Sequence, residues 1–284
     1  MKKIGFIGQG WVGKNYSLDF EERGFDIVRY SKEPEYESNK NEIALCDIVF
    51  IAVPTPTTPK GFDDSIIRAV LPLVGKGKIA VLKSTILPGT TKELQEKFQK
   101  IILLYSPEFL SETTAKQDTS NPFASIVGFS KDTDIHRTAA EEVLSILPKA
   151  PFSLICTSTE AEIIKYTHNT SGFVQIVFFN LMYDLAVSLG CDWSNIHKAI
   201  IADPFIPSRY AQPLHKRGRG AGGHCFIKDF EAFREIYEKT LHDDKSGKAI
   251  LEANIKKNIE LLVFTNKDLD LLSGVYGGGI IKNK

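Results

Sequence analysis

The sequence is poor in the features that mark most non-enzymatic classes. It has only four cysteines, Cys46, Cys156, Cys191 and Cys225, widely scattered and with no CxxC pair. That excludes a disulfide framework and a structural zinc site, so no metal is expected and the cytoplasm is the expected compartment. Net charge is missing as well. The 35 lysines and arginines balance 35 aspartates and glutamates, so no global field recruits nucleic acid or an anionic membrane. No apolar run reaches the roughly 18 residues of a membrane span. The opening MKKIGFIGQGWVG is basic and then apolar, but glycines interrupt it and no small-residue cleavage site follows. It is not read as a signal peptide. There is no internal repeat.

What is present fits a soluble enzyme. The 284 residues, 43% apolar and 25% charged, can build one large domain or two ordinary ones. The first half alternates. KKIGFIG, FDIVRYS, DIVFIAV and KIAVLKST read as strands, with a helical stretch through GKNYSLDFEERG to Gly24. FASIVGFS and FSLICTS read as later strands flanking the helix DIHRTAAEEVLSIL. Such alternation predicts a parallel sheet wrapped by helices. From Thr159 the period changes to helical over TEAEIIKYTHNTSGFVQIVFFNLMYDLAVSLG, opened by a Thr/Glu capping pattern and closed at Gly190. Helices follow in DWSNIHKAIIAD, DFEAFREIYEKTL and KAILEANIKKNIELLVF, and the glycine-rich tail SGVYGGGIIKNK is expected to fray. The expected organisation is an α/β domain over 1–157 and an all-helical domain over 158–284.

Between the first strand and the first helix, GFIGQGWVGKN sets Gly8, Gly10 and Gly13 in GxGxxG spacing around Gln9, Trp11 and Val12. Gly8 permits the tight turn, Gly10 lets a pyrophosphate approach the backbone, and Gly13 lets helix and strand pack closely. The helix N-terminus stabilises the phosphate charge. A dinucleotide is therefore the expected cofactor. The second strand should end in an acid for the ribose 2′-hydroxyl, but it ends at Tyr30, Ser31 and Lys32, with Glu33 the first acid. Ser31 and Lys32 suit a 2′-phosphate and Glu33 a bare ribose, so NAD and NADP both remain open.

The rest of the chain carries a series of motifs. VPTPTTPKGFDDSII spans Val53 to Ile67, KSTILPGTT Lys83 to Thr91, and SPEFLSE Ser106 to Glu112. EIIKYTHN then spans Glu162 to Asn169, and GGHCFIKD Gly222 to Asp229. In this order and spacing, over roughly residues 1 to 262, the chain resembles the UDP-glucose/GDP-mannose dehydrogenases. Those enzymes oxidise a nucleotide-sugar alcohol to a carboxylate with two NAD. The resemblance implies a Rossmann domain followed by a helical domain like that of 6-phosphogluconate dehydrogenase. The family continues into a second Rossmann-like domain that holds the nucleotide, so this chain reads as a shortened form without it. Ser106, where asparagine is usual, and His168 and Thr170 beside Asn169 depart from the common pattern.

The resemblance implies roles for particular residues. Cys225 is the nucleophile that captures the aldehyde as a thiohemiacetal and then carries a thioester that water hydrolyses. Its place near the start of a helix favours thiolate. Lys165 and Asn169 share one helix face that holds the oxyanion and the hydrolytic water, with the lysine as base or electrostatic stabiliser, and Asp229 positions the water or tunes the lysine. Glu108, Glu112 and Thr85 line the junction of nicotinamide, water and sugar. Phe109, Leu110, Gly222 and Gly223 contact substrate, and Val53, Pro54 and Thr55 join the glycine loop, Ser31, Lys32, Thr85 and Glu112 around the cofactor. His224 suits a phosphate or sugar contact better than catalysis. Arg217 and Arg219 fit either a diphosphate or a solvated loop. The long helices, with few partners in a chain this short, predict a homodimer. Two other functions remain in view: a two-electron β-hydroxyacid-type dehydrogenase, and a non-catalytic cofactor- or sugar-binding protein.

Overall fold

The computed structural model describes residues 2–111, 113–216 and 218–281, so the predicted positions Glu112 and Arg217 lie outside the described residues. The chain divides into two compact units: Met1–Thr55 with Asp63–Lys165, and Pro56–Phe62 with Tyr166–Lys284.

The first unit begins β1 (Lys3–Ile7), α1 (Trp11–Glu22), β2 (Asp26–Tyr30), α2 (Pro34–Glu37) and β3 (Ile48–Ile51). A small hairpin, β4 (Thr57–Thr58) and β5 (Gly61–Phe62), interrupts it and counts with the second unit. It resumes with α3 (Ser65–Val70), β6 (Ile79–Leu82), α4 (Thr90–Lys97) and β7 (Ile102–Tyr105). Then come α5 (Ala115–Ser120), β8 (Ala124–Phe129), α6 (Asp134–Ile146) and β9 (Phe152–Thr157). One sheet holds seven strands in the order β2-β1-β3-β6-β7-β8-β9. Strands β3 and β6 are buried at every residue, which is why they read as unbroken apolar runs rather than alternating ones. Phe6, Phe20 and Phe50 centre the core on one face of the sheet, the Phe6 and Phe50 rings stacked 5.3 Å apart.

Two details differ from the sequence reading. The short run IILLY, not singled out there, forms β7. The sheet is also not wholly parallel, because β8 pairs antiparallel with β7 and parallel with β9. The helix between β7 and β8 has six residues, about 9 Å at 1.5 Å per residue. It packs against α1 and is too short to carry the chain back for a parallel re-entry.

The helical elements are α7 (Ser158–Ser188), α8 (Trp193–Ala202), α9 (Gly223–Thr240), α10 (Lys245–Phe264) and α11 (Leu269–Tyr276). The division between units falls inside α7. In the second unit Phe173, Val177, Phe230, Leu251 and Ile255 form the core, with the Phe173 and Phe230 rings 3.9 Å apart. The capping pair that opens α7 is Thr157 with Glu160: each bonds the other's backbone amide. By length and composition α7 would suffice to cross a membrane, although no uninterrupted apolar run exposes this in the sequence. The first part of the tail, where fraying was expected, is helical: α11 reaches Tyr276 with Leu272 and Val275 buried.

Candidate active site

Carboxyl ends of neighbouring parallel strands bring the first unit's motifs together, the place where open α/β sheets bind ligands. Gly8 turns the chain at φ +91°, and a Cβ on Gly13 would collide with the Gly8 carbonyl. A Cβ on Gly10 would meet nothing within 4 Å. The backbone there borders open space at the first turn of α1, which suits a pyrophosphate. Gln9 is tied inward, donating to the Gly8 carbonyl and accepting from Ser17. Val12 packs on the core while Trp11 is exposed. Beyond β2, Ser31 accepts the Glu33 amide at 3.2 Å and Lys32 is exposed. Because β3 and β6 are adjacent, the loops that follow them are stitched. Ser84 bonds both backbone groups of Val53, and the Thr55 hydroxyl donates to the Thr85 carbonyl at 2.7 Å. Pro54 is exposed between them.

After β7, Glu108 is buried and accepts the Phe109 amide at 2.7 Å through Oε1. The residue that faces its other oxygen is one the sequence reading did not assign. The Lys83 side chain, 1% exposed, places Nζ 3.5 Å from Glu108 Oε2, 3.2 Å from Ser106 Oγ and 4.1 Å from the centre of the Tyr16 ring. Burial lowers the Lys83 pKa and raises that of Tyr16 well above its ordinary value, with Glu108 raising both. The available signal was a lysine ending the buried run IAVL, since a charge there requires a partner. Ser106, the departure from the common asparagine, is one of those partners. Lys165 is buried, its ammonium 5.4 Å above the Phe109 ring, and Leu110 packs on the core.

Glu162 was also unassigned. Fully buried, it accepts from the Gly89 and Thr91 amides at 2.5 and 2.9 Å and from the Thr91 hydroxyl. It thereby caps α4 from a distance. Burial pushes its carboxyl up to about 7, against three hydrogen bonds that favour the ionised form.

In the second unit, Cys225 is exposed in the first turn of α9, separated from Gly222 and Gly223 by His224. Helix α9 starts at Gly223, earlier than DFEAFREIYEKTL suggests. Asp229, one turn on and buried, accepts the Asn169 amide at 2.6 Å and an ion pair from Lys228. Asn169 and Asp229, which the sequence reading gave separate roles, are thus joined by a direct bond. Arg219, considered for a diphosphate, is instead committed to Asn180 and Asp184. His224 is exposed, and among the described residues no cluster of three His, Cys, Asp or Glu has metal-binding geometry.

Comparison with known proteins covers both units. Residues 31–146 match the family model for the UDP-glucose/GDP-mannose dehydrogenase NAD binding domain, and residues 159–256 match that family's central domain. The UDP-glucose 6-dehydrogenase TuaD of Bacillus subtilis is 29% identical over 98% of this chain and 67% of its own length. Several other curated relatives are spanned over less of their length, 62% for a second Bacillus subtilis protein. A UDP-glucose dehydrogenase structure from Pyrobaculum islandicum superposes with TM-score 0.78 at 26% identity, covering 92% of this chain and 70% of that one. The fold is also that of the 3-hydroxyisobutyrate dehydrogenase of Mycobacterium tuberculosis, at TM-score 0.70 and 16% identity over 97% of this chain and 98% of that one. The glycine cradle suits the NAD that the matched domain binds. With both domain models matched in order over more than half of its length, the chain belongs to the UDP-glucose/GDP-mannose dehydrogenase family.

Proposed function

We propose that the protein oxidises the primary alcohol of a nucleotide sugar, of UDP-hexose type, to the carboxylate in two NAD-dependent steps through Cys225. The observation that carries this reading is Cys225 in the first turn of α9, with Asp229 one turn on holding the Asn169 amide at 2.6 Å. A two-electron oxidation needs no thiol. The fold alone does not choose, since a β-hydroxyacid dehydrogenase shares it.

The Gly8–Gly13 loop, Ser31 and Lys32, Val53–Thr55 and Thr85 would hold NAD, which supplies the hydride acceptor for both steps. The Cys225 thiolate adds to the aldehyde carbon, forming a C–S bond while the carbonyl π electrons become an oxyanion. Lys165 and the Asn169 amide stabilise that oxyanion, and Asp229 keeps the amide oriented. After the second oxidation a water attacks the thioester, the C–S bond breaks, and the thiolate returns as leaving group. Glu108, ion-paired with Lys83, takes the water's proton, with Thr85 holding the water. Sugar contacts at Phe109, Leu110, Gly222 and Gly223 are what the family resemblance implies. Overall one alcohol, one water and two NAD give one carboxylate, two NADH and three protons. A reducing, cytoplasmic setting that keeps Cys225 a thiol is part of this reading.

So is a homodimer. Val174, Phe178, Leu181 and Leu185 form an exposed apolar stripe on α7 at helical spacing, which a second copy would cover symmetrically. Light scattering tests it: a dimer that Phe178→Glu dissociates supports the pairing, and a monomeric wild type sinks it. The function itself is tested by counting NADH formed per molecule of substrate consumed across UDP- and GDP-sugars, with Cys225→Ser beside the wild type. Two equivalents, with acid formation lost in C225S, support the mechanism. A wild type that turns over none of these sugars overturns it.

A further inference from the structure

The loop that delivers Cys225 is held from outside the matched family domain. The central-domain match ends at residue 256, and the residues that grip the loop come after it. Asn258 on α10 accepts the Ala221 amide at 2.6 Å and donates to the Ala221 carbonyl at 3.0 Å. The Thr265 hydroxyl accepts the Arg219 amide at 3.1 Å. Lys267 Nζ donates to the Gly220 carbonyl at 2.8 Å, and Asp268 Oδ2 accepts the Gly223 amide at 2.7 Å.

Steric facts agree. A Cβ on Gly218 would press on Lys267, one on Gly220 on Asn258, and one on Gly222 on the Asp268 carboxylate. Gly218, Gly220 and Gly222 of GRGAGG thus make room for the chain's own side chains. Asn266 and Asp268 adopt left-handed φ of 51° and 52°, which residues other than glycine keep only where their surroundings over-determine it. Burial lowers the Lys267 pKa while the adjacent Asp268 carboxylate raises it, and the Lys267 side chain is spent on the Gly220 carbonyl. Asp268 takes an amide at the start of α9 that Gly222, lacking a side chain, cannot cap.

We infer that Asn258 and the Thr265–Asp268 connection form a clamp that fixes the backbone of Gly220–Cys225 and so sets where the Cys225 thiol is presented. Lys267 and Asp268 are its positioning residues. The consequence for catalysis rests on Cys225 being the nucleophile; the clamp itself does not.

Amide hydrogen exchange and iodoacetamide alkylation of the full chain test it, with Cys191 as the internal reference thiol. In Asp268→Ala and Lys267→Met, the amides of Ala221–Phe226 should exchange roughly tenfold faster or more, the loss of one charge-assisted bond. The alkylation rate of Cys225 relative to Cys191 should change with them. Asp268→Asn keeps an acceptor oxygen and should restore most of the protection, and unchanged protection in β1 and β3 shows that the first unit stays folded. Wild-type exchange across the loop in both D268A and K267M, or no rescue by D268N, would overturn the clamp. A loop that loosens in a protein oxidising no nucleotide sugar leaves the clamp standing and removes the proposed reaction. Turnover with an unaltered loop does the reverse.

Discussion

Two glycine-rich loops precede the N-termini of two helices in this protein, and they use their glycines for opposite purposes. Before α1, Gly8, with Gly13 in the helix's first turn, lets the backbone fold onto itself and Gly10 leaves open space. In the loop before α9, Gly218, Gly220 and Gly222 are filled from outside by Lys267, Asn258 and Asp268. A missing side chain shows that something comes close, but it does not say whether that is a ligand or the protein. The buried carboxylates differ as well: Glu108 in the first unit faces the buried Lys83 ammonium, whereas Asp229 in the second accepts both the Asn169 amide and the Lys228 ammonium.

The sharpest way to break this comparison is at the thiol, because the second loop has a catalytic purpose only if Cys225 reacts. Cys225→Ser should lower the rate of acid formation by at least about 10³-fold with NAD affinity unchanged, read from NADH yield and NAD titration. Next is the buried pair. Lys83→Met strands the Glu108 carboxylate and should cost about 3–5 kcal/mol, while K83M combined with Glu108→Gln recovers most of it. Denaturant melts of the two variants decide, and equal losses would show that the pair is not coupled.

Smaller effects sharpen the contrast between the loops. Gly10→Ala should leave the melting temperature alone and weaken NAD roughly tenfold or more, because the methyl enters the space left for phosphate. Gly220→Ala, at φ +85° and against Asn258, should cost about 1–3 kcal/mol with NAD affinity intact. The reverse pattern would exchange the roles assigned to the two loops. The smallest effect is a pH dependence at Glu162. Its folded pKa, about 7, lies above the ordinary 4.5, so the folded state holds the proton more tightly. The stability this contributes is full below about 4.5 and is lost as pH rises through about 7. Relative to Glu162→Gln, the wild type should lose a few degrees of melting temperature across that window. A constant difference would mean that Glu162 is ionised throughout.

How much of this was legible depended on whether a residue's partner lay nearby in sequence. The strands β1, β3 and β6, the turn at Gly8 and the face shared by Lys165 and Asn169 follow from local periodicity and backbone freedom. The antiparallel entry of β8 was hidden because strand direction follows from the path of a connection, which residue types do not encode. Glu162 stood inside a quoted motif without a role, since the amides it caps are 71 and 73 residues away. Arg219 fitted a diphosphate or a solvated loop equally well in sequence, and it is the distant Asn180 and Asp184 that hold it.

The amino-acid order by itself determined the α/β-then-helical plan, the dinucleotide loop and the motifs that mark the family. Each depends on spacing along the chain, where helical and strand geometry turn sequence distance into known spatial distance. Tertiary structure alone decided which charges are buried together, what fills the glycine gaps before Cys225, and that residues beyond the family's central domain grip that loop. These are meetings of groups far apart in sequence, brought about by packing, and no local pattern records them.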